Sequence, residues 1–65
     1  MKNDIKDRRK AHGLSQDDLA KACAVSRQTI NAIENNKYDP SLSLAFQLAR
    51  VLGVTVDELF LGGGS

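Results

Sequence analysis

SQDDLAKACAVSRQTINAIENN, residues 15–36, decides the fold of this chain because it predicts two short helices joined by a tight turn. Ser15 is suited to cap the first helix, and the Asp18 carboxylate can bond back to the backbone N–H of the cap, which makes a capping box. The apolar residues that follow recur at the spacing of one buried helix face; they are Leu19, Ala20 and Cys23. Ser26 is suited to cap the second helix.

The second helix has two chemically different faces. At about 100° per residue, Ile30, Ile33 and Glu34 lie on one side. The other side carries an unusual row of Arg, Gln and Asn: Arg27, Gln28, Asn31 and Asn35. Arginine can bond the major-groove edge of guanine, and glutamine or asparagine can bond that of adenine. This face is therefore a candidate for reading DNA, and the alternative is an ordinary solvated surface.

The segments LSQDDLAKA and VSRQTINAIENNKYDPSL resemble the Cro/C1-type (XRE-type) helix-turn-helix family of phage repressors and small bacterial regulators. The likeness extends from Ile5 to Phe60. It implies an all-α fold, a compact five-helix lambda-repressor-like domain. It also implies that the helix beginning after Ser26 lies in the major groove of DNA, while the helix beginning after Ser15 crosses the DNA backbone.

The resemblance and the helix geometry together give a set of candidate DNA contacts. Those expected to face base edges are Arg27, Gln28, Thr29 and Asn31. Those expected to contact the backbone are Gln16, Ser26, Asn35, Lys37 and Tyr38. Two alternatives stay open: Arg27 could bind a phosphate, and Tyr38 could be a packed loop aromatic. The family also implies that Arg9 pairs with Glu34 in a mostly buried ion pair.

Helices are predicted on both sides of this central unit. The first runs from about Asn3 or Asp4 to His12, where the histidine suits the helix dipole. Ser41 is suited to cap a fourth helix, whose predicted core residues are Leu44, Leu48, Val51 and Leu52, with Ala45 and Phe46 beside them. Thr55 and Glu58 predict a second capping box for a short last helix, Val56 to about Phe60.

Three positions are expected to have special roles. Ala24 stands in the turn where the family usually has glycine, and a left-handed backbone there would cost alanine about 1 kcal/mol. Asn36 is also at a common glycine position, and asparagine tolerates the left-handed conformation better than most residues. Leu61 is a candidate contact for a partner. The domain is predicted over residues 1–61, and residues 62–65, GGGS, are typical of a flexible linker or a remnant of cloning.

Composition limits the function classes that fit. With 65 residues and 42% hydrophobic content, the chain is expected to form one small domain with an aliphatic core. One cysteine, Cys23, excludes an internal disulfide and suits a reducing cytoplasm. Cys23 and His12 are the only soft metal ligands in the sequence, so we expect no metal site. We also find no paired acid and base and no phosphate-binding loop, so we expect no cofactor and no enzymatic activity. No apolar run is long enough to span a membrane.

The net charge of +1 conceals an uneven distribution. Residues 1–38 contain eight Lys and Arg against five Asp and Glu, whereas residues 39–65 contain one Arg against three acids. The predicted DNA-binding end is therefore the basic end. We predict a sequence-specific double-stranded DNA-binding protein, a small transcriptional repressor acting as a homodimer. The alternatives are an engineered DNA-binding domain on the same scaffold and an antitoxin-like or adaptor-like module that binds a protein.

Overall fold

A computed structural model describes residues 2–60 of the chain. These residues form five helices and no strand, which confirms the predicted all-α, five-helix fold. The helices are α1 (Ile5–Ala11), α2 (Gln16–Ala22), α3 (Arg27–Glu34), α4 (Leu42–Leu52) and α5 (Val56–Phe60). Predicted and observed ends differ by a residue or two. The first helix, predicted from about Asn3 or Asp4 to His12, spans Ile5–Ala11. The recognition helix, predicted over about Arg27–Asn35, ends at Glu34. Leu61 and the GGGS segment lie outside the described residues.

Hydroxyl caps fix where the helices begin, as the sequence predicts. Ser15, Ser26 and Ser41 each accept a hydrogen bond from the backbone N–H three residues later, at 2.9–3.1 Å. The α2 capping box is complete, because the Ser15 N–H donates to Asp18 Oδ2 at 3.0 Å. Thr55 and Glu58 exchange the same pair of bonds before α5. Each cap supplies an acceptor for an N–H that has no partner within its own helix.

The turn between α2 and α3 contains the left-handed residue that the sequence predicts. Ala24 has φ +57°. The Ala24 and Val25 N–H groups donate back to the carbonyls of Lys21 and Ala20, at 3.2 and 3.0 Å, so the last α2 carbonyls are satisfied despite the alanine. Asn36 has φ +60° and ends α3 in the same way, as expected.

The core is aliphatic. Seven large side chains are fully buried, namely Ile5, Leu19, Ile30, Ile33, Leu48, Leu52 and Leu59. They come from all five helices, so each helix is held by the same cluster. The predicted core position of Phe46 is wrong, because this side chain is 54% exposed. Phe46 lies two residues before Leu48, about 200° around α4, and therefore points away from the face that packs.

Two long-range hydrogen bonds tie chain segments that sequence patterns do not connect. Asn3 donates through Nδ2 to the Ile33 carbonyl at the end of α3, at 2.8 Å, while its Oδ1 accepts from the Ile5 N–H. His12 Nε2 lies 2.9 Å from the Leu52 carbonyl, joining the ends of α1 and α4. His12 thus has a structural partner in addition to its position at a helix end.

The longest helix, α4, has 11 residues. None of the helices within residues 2–60 qualifies as a membrane span, for which about 20 apolar residues are needed.

Candidate nucleic-acid interface

Helix α3 is anchored on one side and exposed on the other. Ile30 and Ile33 are buried in the core, at 0% and 1% exposure. Arg27, Gln28 and Asn31 are exposed on the opposite side. The Ser26 cap sets the start of the helix and so fixes which residues fall on which face. The sequence periodicity therefore predicts the two faces of α3 correctly.

An open polar cleft runs between α2 and the exposed face of α3. Its volume is about 270 Å³, and it is lined by Gln16, Arg27, Gln28 and Asn31. Three of these residues are among the four predicted base contacts, and Gln16 is a predicted backbone contact. The lining thus combines one cation with three amides, a set of groups suited to base edges and phosphate oxygens.

The remaining predicted contacts lie around this cleft. Thr29 is half-buried, and its hydroxyl lies 2.9 Å from Ser26 Oγ, so both hydroxyls take part in the cap of α3. Asn35 donates to the Asn31 carbonyl at 2.8 Å and to Asn31 Oδ1 at 3.3 Å. Lys37 and Tyr38 are exposed in the loop that follows α3. The structure therefore brings Gln16, Arg27, Gln28 and Asn31 together, with the others at the margins.

The exposed face of α3 is free of negative charge. Glu34 is the sole carboxylate in α3, and its side chain is only 2% exposed. Its Oε2 accepts from Arg9 Nε at 2.7 Å, and its Oε1 accepts from Arg9 Nη2 at 3.3 Å. Arg9 also donates to the Leu14 carbonyl at 2.8 Å. Because Glu34 is buried against a guanidinium, Arg27 is the charged side chain on the exposed face of α3. The loop that follows exposes both Lys37 and Asp39.

Gln16 is joined to the same ion pair. Its Nε2 donates to Glu34 Oε1 at 3.0 Å. The family resemblance implies that Gln16 lies near a phosphate, but the sequence gives no sign of this bond, because the two residues are 18 positions apart and lie in different helices. The sequence also gives no sign of the role of Asn3, whose side chain donates to the Ile33 carbonyl and to Asn36 Oδ1 at the end of α3. Single polar residues that bond from one helix to another do not recur at a regular spacing, so the sequence pattern does not reveal them.

The described part of the chain gives little support for a reactive cysteine or a metal site. Cys23 is buried, and desolvation raises the pKa of its thiol above the ordinary value, which disfavours the reactive thiolate. Residues 2–60 contain no group of three or more His, Cys, Asp or Glu side chains placed to hold a metal ion.

A helix-turn-helix family model matches residues 5–59, the whole span from α1 to α5 short of one residue. The chain belongs to the Cro/C1-type (XRE-type) helix-turn-helix family. An uncharacterised HTH-type transcriptional regulator of Methanocaldococcus jannaschii is 56% identical to it over 61 residues, covering 94% of this chain and 92% of the relative.

Solved structures of helix-turn-helix regulators have the same fold. A chain of a SinR–SinI protein complex superposes with a TM-score of 0.82 at 31% identity, covering 92% of this chain and 59% of that one. SinR in complex with DNA superposes with a TM-score of 0.73 at 34% identity, covering 80% of this chain and 84% of that one. The restriction-modification controller protein C.AhdI of Aeromonas hydrophila gives a TM-score of 0.79 at 32% identity, covering 86% and 85%.

Proposed function

We propose that this helix-turn-helix protein is a DNA-binding transcription regulator that inserts α3 into the major groove of double-stranded DNA. The observation that carries the proposal is the exposed face of α3, which presents one guanidinium and two amides around a polar cleft, with the carboxylate of the helix buried. A groove-facing helix needs donors and acceptors for base edges and no negative charge against phosphates. Among the solved relatives, the SinR structure with DNA supports the same function.

Within this proposal, each candidate residue has a role. Arg27, Gln28 and Asn31 face base edges, with Thr29 behind them. Gln16 and Lys37 approach the phosphates from the two sides of α3. The other backbone contacts are Ser26, Asn35 and Tyr38. Arg27 stands at the first position of α3, from which its fork reaches either a guanine or a phosphate.

The wider biological role is a repressor that blocks transcription by occupying its operator in the cytoplasm. A single small module contacts little DNA, so we propose a homodimer on two half-sites about one helical turn apart, roughly 34 Å. The last helix and Leu61 form its interface, at the end of the chain away from α3 in sequence. Nuclease footprinting tests the dimer: protection of a single half-site, at undiminished affinity, would mean that the protein binds as a monomer.

Selection of bound duplexes from a random pool tests the central proposal, and two matched variants separate the contact types. Gln28→Ala should cost about 1–3 kcal/mol on the selected duplex and relax the preference at one base pair, with the salt dependence unchanged. Lys37→Ala should weaken binding evenly across sequences and reduce the salt slope by about one. If Gln28→Ala weakens the binding of every duplex equally, Gln28 does not read a base. Specificity would then come from Asn31, Thr29 or the shape of the DNA.

A second candidate function is a protein-interaction module. Two large apolar side chains one helical turn apart on α4 favour it, because Leu42 is 69% exposed and Phe46 is 54% exposed. If the selection from the random pool enriches no duplex, protein interaction becomes a better-supported function than DNA binding.

A further inference from the structure

The Glu34 carboxylate joins three helices through two different partners. Its Oε1 accepts from Gln16 Nε2 at 3.0 Å and from Arg9 Nη2 at 3.3 Å, and its Oε2 accepts from Arg9 Nε at 2.7 Å. Arg9 lies on α1, Gln16 on α2 and Glu34 on α3. The ion pair links α1 to α3. The bond to Gln16 instead links α3 to α2, at the cleft.

This bond determines which way the Gln16 amide faces. A carboxylate only accepts hydrogen bonds, so the nitrogen of the amide must face Glu34 and its carbonyl oxygen must face elsewhere. The Arg9 guanidinium donates to both oxygens of Glu34 and so holds the carboxylate in place. The side chain of Gln16 therefore has one orientation, where an exposed glutamine would sample several.

The fixed amide lies at the α2 side of the cleft. Gln16 lines this cleft with Arg27, Gln28 and Asn31, and it occupies the first position of α2. Its second N–H is not used by Glu34. A donor held in place at this point lies next to the groups of α3 that are proposed to enter the groove.

We propose that Glu34 is a positioning residue for DNA binding, which orients the Gln16 amide before DNA arrives so that its remaining N–H meets a phosphate oxygen. The inference rests on the proposed function. Glu34 itself touches no DNA and acts through Gln16. Preorganisation of this kind raises affinity because the side chain has already lost its freedom in the unbound protein.

A double-mutant cycle on DNA affinity distinguishes positioning from simple stabilisation. Glu34→Gln keeps the shape of the side chain but lets either end of its amide face Gln16, so it removes the fixed orientation. Affinity for the selected duplex should fall about five- to tenfold, the value of one net hydrogen bond, when Gln16 is present. In a Gln16→Ala background the same change should alter affinity by less than about twofold. Each variant is measured at a temperature where circular dichroism shows it to be folded.

Two controls complete the design. Ile5→Val removes a buried methylene on α1 and lowers stability without touching the network, so its DNA affinity should equal that of the unmodified protein. In the unmodified protein, ¹⁵N relaxation should show the Gln16 side-chain amide to be rigid on the nanosecond timescale and the exposed amide of Gln47 to be mobile. This measurement needs no variant and stands even if Glu34→Gln does not fold.

Each contrary result has its own meaning. Equal losses of affinity from Glu34→Gln with and without Gln16 would overturn the inference and leave Glu34 a purely structural residue. A Gln16 amide as mobile as that of Gln47 would overturn it too. In both cases the DNA-binding proposal survives. If the unmodified protein binds no duplex at all, the proposed function fails and this inference falls with it.

Discussion

The Arg9–Glu34 pair is a buried ion pair that links α1 to α3. Both side chains are withdrawn from water, with exposed fractions of 8% and 2%. Removing one partner leaves the other charge buried without compensation, which typically costs about 3–5 kcal/mol. Glu34→Ala should therefore lower the free energy of unfolding by about 3 kcal/mol or more in urea titrations. A loss below about 1 kcal/mol would match an exposed ion pair and contradict the burial.

Ala24 offers a test of backbone strain at a single residue. Its φ of +57° is left-handed, which costs an L-residue about 1–2 kcal/mol. Glycine removes that cost but adds about 0.4–1 kcal/mol of entropy to the unfolded chain. Ala24→Gly should thus raise stability by about 0.5–1 kcal/mol, measured by urea denaturation. Ala22→Gly, at an exposed helical position two residues away, is the matched control and should lower stability by about 0.5–1 kcal/mol. A loss in both variants would mean that the turn carries no strain.

Among the helices, α2 and α5 both begin with a capping box whose carboxylate can be protonated, so the stability of both helix starts depends on pH. Hydrogen bonds from the Ser15 backbone N–H, and then from its hydroxyl, lower the pKa of Asp18 below its ordinary value of 3.8. The Thr55 backbone N–H and hydroxyl likewise lower the pKa of Glu58 below 4.5. A lowered folded-state pKa means that the stabilisation is complete above the unfolded-state pKa and is lost as pH falls through the folded-state value.

Acid titration of stability tests these two carboxylates. The free energy of unfolding should decline as pH drops below about 4.5. The decline should be shallower in Asp18→Asn and in Glu58→Gln, because each variant removes one group that must be protonated. Asp57→Asn is the control, since this carboxylate lies in the first turn of α5 without a capping bond to Thr55. Parallel pH profiles for all four proteins would show that the capping boxes contribute no acid sensitivity.

Element starts could be predicted from sequence because a cap acts over three residues. Ser15, Ser26, Ser41 and Thr55 each mark a helix start in both the sequence and the structure. The packed side of α4 is also predicted correctly, because Leu44, Leu48 and Leu52 are buried. The exception is Phe46: apolar residues extend beyond this stripe, and the pattern does not show where the packed face ends.

Two contacts between distant segments could not be predicted, although the family resemblance implies the Arg9–Glu34 pair that the structure contains. Asn3 bonds a carbonyl 30 residues away, and His12 bonds one 40 residues away. Neither bond leaves a mark in local composition. At the cleft, helical periodicity predicts which face of α3 is exposed. Only the family resemblance predicts that Gln16 lies beside that face. The Gln16–Glu34 bond depends on how the helices pack against one another, which local sequence does not show.

Considered as a whole, the described chain measures 29 × 22 × 19 Å, so one face of the protein can meet only a short stretch of duplex. The surplus of positive charge up to residue 38 lies in the part of the chain that contains α3. The modest net charge of +1 is therefore compatible with binding a polyanion, because the local field at the contact face matters more than the total.

The salt dependence of binding tests the central claim most directly. The protein is titrated into a duplex taken from the random-pool selection, and into a scrambled duplex, over a range of salt concentrations. If α3 enters the groove with phosphate contacts on either side, the logarithm of the association constant should fall linearly with the logarithm of salt concentration. Its slope should be near −0.9 for each phosphate contacted, with the selected duplex bound more tightly throughout. An affinity that does not change with salt, or no detectable affinity for any duplex, would contradict the account.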